Sequence, residues 1–119
     1  MGVKLEQKVR VDQLSSNDSD FNGSTITLYE HGVNFSNFGT YTVYGVVATP
    51  KGDKAFLHYD GKWNAVTKDG QFVEAPFLAN GELTGGTGRF EKITGTVRQS
   101  GKVTPAAGGA YRIEIDTTY

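Results

Sequence analysis

The sequence predicts an all-β domain that closes on itself as a single antiparallel β-barrel of about seven or eight strands, a size whose interior is just filled by side chains or holds one small ligand. Three observations predict it. Both ends of the chain alternate apolar with charged residues at a period of two, a central segment is β-branched and aromatic on both faces, and glycine-centred turn signals recur at short intervals. No repeat, linker or composition break divides residues 1–119, so the reading is one domain over that span.

The first element is Val3-Lys4-Leu5-Glu6-Gln7-Lys8-Val9-Arg10-Val11, in which Gln7 alone interrupts the alternation. A half-buried strand needs such a pattern because successive side chains point to opposite faces, and the charged set is expected on the wet face. Ser15-Ser16-Asn17-Asp18-Ser19-Asp20 is polar throughout and reads as a loop. Tyr41-Thr42-Val43-Tyr44-Gly45-Val46-Val47-Ala48 is apolar on both faces, which predicts a strand covered by the core on one side and by another subunit on the other. Turn signals stand at Lys51-Gly52-Asp53, Asp60-Gly61-Lys62, Lys68-Asp69-Gly70, Asn80-Gly81, Gly85-Gly86 and Ala107-Gly108-Gly109. Glycine, and Asn or Asp beside it, supplies the positive φ of tight hairpins. The best helical candidate is a single turn near Glu91 to Thr94. Tyr111-Arg112-Ile113-Glu114-Ile115-Asp116-Thr117 then alternates without exception and closes the series as a half-buried strand.

Composition excludes several function classes. There is no cysteine, which removes disulfides, thiolate zinc sites and a cysteine nucleophile together. Twelve basic residues stand against 13 acidic ones, so no nucleic-acid partner is expected. No apolar run reaches the length of a membrane span, and Met1 to Arg10 carries no secretory core, so the expectation is a cytoplasmic protein without membrane contact.

The chemistry-bearing motifs are few. Gly81 to Gly88 fits neither phosphate-loop form, because Arg89-Phe90 follows where Lys-Ser/Thr or an opening helix is required. His31 and His58 are the only histidines, and in Tyr29-Glu30-His31 and His58-Tyr59-Asp60 adjacent residues point to opposite strand faces, so neither metal nor cofactor is expected. His58 is a candidate general base if it points inward, although a strand histidine on the wet face is the plainer reading. Glu30 and Glu74 are the acids set most deeply among apolar residues, where burial would suit them to proton transfer. Aromatic residues gather between Tyr29 and Phe77 and describe a ring-lined pocket or an ordinary core equally well.

Leu83-Thr84-Gly85-Gly86-Thr87-Gly88-Arg89-Phe90-Glu91, followed by Gly95 and Val97, resembles the signature T-G-G-S/T-G-x-F-x-x-x-x-G. That signature belongs to the barrel shared by allene oxide cyclases, dirigent proteins and a bacterial family of unassigned function. Val73-Glu74-Ala75-Pro76-Phe77-Leu78 is similar to the cyclases' V-Q-G-P-Y-L strand, and Val33-Asn34-Phe35-Ser36-Asn37 to their V-P-F-T-N segment. The resemblance implies a barrel with an apolar cavity that is commonly trimeric, here a homo-oligomer (dimer or trimer). It places Asn37 where the cyclases hold a water, with Phe35 as the matching wall, and Val47 near their cavity cysteine. Departures are that no cysteine exists, that Phe77 replaces their tyrosine, and that only Glu6 is a candidate for their N-terminal carboxylate. Allene oxide cyclisation itself is therefore not the expectation.

The leading expectation is a barrel that binds a small, largely apolar molecule and folds it for cyclisation or isomerisation without a cofactor. Asn37, Glu74 and His58 would supply the polar groups, with Phe35, Tyr41, Val47, Tyr59, Trp63 and Phe77 around the ligand. A non-catalytic carrier is one rival, and a structural protein with a filled barrel is the other.

Overall fold

The computed structural model describes residues 3–106 and 108–119. Eight strands follow in turn: β1 (Lys4–Gln13), β2 (Thr25–Asn34), β3 (Phe38–Ala48), β4 (Lys54–Asn64), β5 (Val66–Lys68), β6 (Gln71–Gly86), β7 (Thr94–Thr104) and β8 (Gly108–Thr118). A 3-10 turn, Gly88–Phe90, joins β6 to β7. The strands form an antiparallel meander in the order β1-β2-β3-β4-β6-β7-β8, with β5 folded onto β6. The all-β expectation holds, but the backbone does not close the barrel. β1 and β8 are the two edges, and no ladder joins them. Side chains reach across this seam instead. The Tyr111 hydroxyl on β8 donates to the Asp12 carboxylate on β1, and the Arg10 guanidinium lies 4.7 Å from the centroid of the Tyr111 ring. No described helix is long and apolar enough to cross a membrane.

The inner face is built by seating large side chains over glycines on the neighbouring strand. Gly39 faces Trp63, Tyr41 faces Gly61 and Gly45 faces Leu57 between β3 and β4. Tyr59 faces Gly81 between β4 and β6, and Phe77 faces Gly101 between β6 and β7. A Cβ at Gly61 would stand 2.4 Å from Tyr41 Cζ, and one at Gly39 would stand 2.2 Å from Trp63 Nε1. Those distances are far inside van der Waals contact, so the rings occupy the space a side chain would need. This corrects the reading of Asp60-Gly61-Lys62 and Asn80-Gly81 as turns, since both lie within strands, Gly61 as the socket of the Tyr41 ring and Gly81 where the β4 backbone at His58 and Tyr59 leaves no room for a Cβ.

Lys51-Gly52-Asp53 and Lys68-Asp69-Gly70 do form turns. Gly85-Gly86 ends β6 at a register shift, where Phe56 pairs with Gly85 but Leu57 pairs with Leu83. Of Ala107-Gly108-Gly109, Ala107 lies outside the described residues, and the two glycines open β8. The helical turn expected at Glu91 to Thr94 forms just before it, at Gly88–Phe90.

One end of the molecule is a packed apolar core around Ile26, Val43, Val47, Leu57, Leu83 and Val97. Phe21 and Phe90 stack across it at 4.7 Å. Tyr119 meets Phe90 edge-on and donates to Asp20 Oδ2 at 2.8 Å, while Arg89 pairs with the same Asp20.

β1 reverses the expected orientation. Leu5, Val9 and Val11 are 77%, 67% and 61% exposed, while the charged residues between them face inward. The cause is register. Directly paired residues share a face, and β1 pairs Asp12 with Ile26, Arg10 with Leu28, Lys8 with Glu30 and Glu6 with Gly32. Ile26 and Leu28 are buried in the core, so the charged partners follow them inside. The outer side of β3 is likewise uncovered within the chain, with Tyr44 exposed.

Candidate functional site

At the end opposite the Phe21–Phe90 stack the side chains stop filling the interior, and a cavity of about 400 Å3 remains. One wall is aromatic: Tyr41, Trp63, Phe72 and Phe77. The facing wall comes from the inward side of β1 and β2 and is charged: Glu6, Lys8, Arg10 and Glu30, with Asn34 beside them. Strand periodicity explains the grouping, because residues 6, 8 and 10, and residues 30, 32 and 34, project to one face two apart.

Hydrogen bonds fix most of the polar lining. Trp63 Nε1 donates to Asn34 Oδ1 at 3.0 Å, so the indole is held against the β2 wall. The Tyr41 hydroxyl donates to Gln99 Oε1 at 3.0 Å in a buried position. Lys4 and Lys8 each place an ammonium 3.2 Å from the Glu6 carboxylate. Hydrogen bonds from Lys4 and Lys8 hold that carboxyl below its ordinary pKa of 4.5, so Glu6 stays ionised at neutral pH. Burial pushes the Tyr41 and Tyr59 phenols well above their ordinary value, which keeps both neutral. The Tyr59 side chain is fully buried and its hydroxyl has no hydrogen-bond partner.

Of the residues expected around a ligand, Tyr41, Trp63 and Phe77 line this cavity. Tyr59 lies buried behind it, with Tyr41, Glu30, Tyr111 and Arg10 in electrostatic reach. Val47 sits in the packed core and borders a separate groove beside Leu14, Ile113 and Ile115. Phe35 lies in the β2–β3 connection, stacked on Phe38 at 4.7 Å, outside the cavity lining.

The three polar candidates are elsewhere. Asn37 is exposed in the same connection, where its carbonyl accepts from the Ala65 amide at 2.7 Å. His58 is on the outer face of β4, stacked on Tyr44 with ring centroids 5.0 Å apart and 3.5 Å from Asp60. Glu74 is also outward, 3.9 Å from Lys102. The structure does not bring these three together.

Arg10, Lys8, Asn34, Gln99 and Tyr111 are the lining residues that sequence reasoning passed over. For Lys8, Arg10 and Asn34 the signal was present as the spacing 6-8-10 and 30-32-34, but that spacing marks only a shared face. No group of three or more His, Asp or Glu side chains among the described residues is arranged to hold a metal. Comparison of the chain with protein-family models, with curated proteins and with solved structures finds no match.

Proposed function

We propose that the sheet works as a barrel whose β1 and β8 edges are closed by side chains, and that its open end binds a small, largely apolar molecule. The observation that carries this reading is the amphipathic cavity of about 400 Å3, aromatic on one wall and polar on the other. Its size falls among those of small-ligand pockets, and so does its mixture of rings with a few placed polar groups. The molecule lies against Trp63 and Phe77 and turns its polar end to β1 and β2. The resemblance of Thr84 to Gly95 to the cyclase and dirigent barrel supports the same reading. The uncovered apolar outer side of β3 supports assembly of a dimer or trimer.

Native mass spectrometry, before and after exposure to a lipophilic metabolite extract, tests binding and subunit count in one spectrum. A bound mass that is lost on denaturation is the expected result. Bare protein in both samples, with the emission of Trp63 unmoved, overturns the reading in favour of a filled structural barrel.

A second reading, cyclisation or isomerisation of the bound molecule, is favoured by one observation. An ionised carboxylate, Glu6, and a neutral phenol, Tyr41, line the same cavity. Such a pair could stabilise cationic character and polarise an oxygen. Isomerisation conserves mass, so released ligand should show an unchanged mass and an altered chromatographic retention. Unchanged retention would leave a carrier.

A further inference from the structure

Most polar groups facing the cavity are already paired. Glu6 takes Lys4 and Lys8, Tyr41 takes Gln99, Trp63 takes Asn34, and Tyr111 takes Asp12. Three groups are not satisfied in this way. Arg10 has no ion-pair partner among the described residues and lies over the Tyr111 ring. Glu30 is half-buried and has neither ion pair nor side-chain hydrogen bond among the described residues. The Tyr59 hydroxyl, buried behind the lining rather than facing the cavity, is also unpartnered, with Glu30 and Arg10 both in electrostatic reach. A cation and an anion thus face one space without pairing with each other, and the Tyr59 hydroxyl lies buried behind its lining.

Their spacing is set by the ladder. Glu30 pairs with Lys8, and Arg10 pairs with Leu28, so Glu30 and Arg10 are diagonal neighbours on the same face, roughly 7–8 Å apart at the backbone. A lone anion bound by Arg10 would meet the Glu30 carboxylate, and a lone cation bound by Glu30 would meet the guanidinium. Like charges brought together in this way are unfavourable. A head group that carries both charges on one carbon satisfies both groups at once.

We infer that the ligand of this cavity is a zwitterion of the α-amino-acid kind with an aromatic body, its carboxylate on Arg10 and its ammonium on Glu30. Arginine and a carboxylate match in planar, two-pronged geometry. The aromatic body then stacks on Trp63 and Phe77, which line the same cavity. This inference rests on the reading of the cavity as a ligand site.

Four compounds with the same phenyl group on a short chain separate the possibilities: L-phenylalanine, 3-phenylpropionate, 2-phenylethylamine and propylbenzene. Trp63 is the only tryptophan and lines the cavity, so its emission reports binding, with calorimetry in parallel. Phenylalanine should bind about tenfold or more tighter than either singly charged compound, the effect of one charge-assisted hydrogen bond. Arg10→Met should weaken phenylalanine and phenylpropionate but spare phenylethylamine, and Glu30→Gln should do the reverse for the two singly charged compounds. If propylbenzene binds as well as phenylalanine, or either variant moves all four alike, the zwitterion is overturned and the cavity reading stands. If none of the four binds and native spectra are bare, both fall together.

Discussion

β1 and β8 flank the same open seam and carry the same alternation of apolar and charged residues, yet they are turned opposite ways. On β8, Ile113 and Ile115 pack against the core while Arg112, Glu114 and Asp116 face water. On β1, Leu5, Val9 and Val11 face water, and Glu6, Lys8 and Arg10 face the interior. β8 is held by burial as well as by its ladder with β7. β1 is held by its ladder with β2 and by side-chain contacts such as Tyr111 to Asp12. The difference shows why the cavity exists where it does. A strand that turns charges inward supplies polar wall rather than core, and the space beside it stays unfilled.

The sharpest way to break this comparison is a matched pair of substitutions. Ile115→Asp puts a charge against the core and should destabilise by about 3 kcal/mol in urea denaturation, while Val9→Asp should stay within about 0.5 kcal/mol. Equal losses would mean that the outer face of β1 is covered after all, by a second copy of the chain. Smaller in effect is Tyr111→Phe, which removes the hydroxyl that spans the seam. A loss of about 1 kcal/mol is expected, and Asp12→Asn should show little further loss in the Tyr111→Phe background if the two groups act through one bond. Full additivity would show that the seam is not joined there.

The smallest expected effect is a difference in pH response. The Glu6 carboxyl titrates below its ordinary 4.5 in the folded state, so its contribution is present above about that pH and is lost as pH falls further. The Tyr111 phenol titrates above its ordinary 10.0 because of desolvation first and Asp12 second, so its contribution is present below that pH and is lost as pH rises through the folded value. β1 should therefore loosen in acid and β8 in alkali. Amide hydrogen exchange of the two strands checks this, and Glu6→Gln or Tyr111→Phe should each flatten only its own limb. Both strands loosening together at each extreme would show that the seam opens as one unit.

Much of the fold was legible in the residues. The alternation of 3–11 and 111–117 located the edge strands, and Tyr41 to Ala48 located a central one. Glycine was legible only in part. Lys51-Gly52-Asp53 has the composition of a turn and is one, whereas Asp60-Gly61-Lys62 has the same composition and is the middle of β4. What distinguishes them is Tyr41 on the neighbouring strand, whose ring needs the space at Gly61, and that is a fact about pairing. The site was legible in its aromatic half, through Tyr41, Trp63 and Phe77, because large rings in strands face a core or a cavity in either case. Its charged half was not, because charged residues on an alternating strand look like a wet face.

The sequence by itself determined that the chain forms strands, where most of them lie, and which residues share a face on each. Tertiary structure alone decided which of the two faces turns inward, which glycines are sockets, and that the edges meet through side chains rather than through a ladder. The physical reason is that a period of two is unchanged when a strand is flipped over. On β1 the choice fell to register, since pairing Arg10 with the buried Leu28 turns every charged partner to the inner face of the sheet.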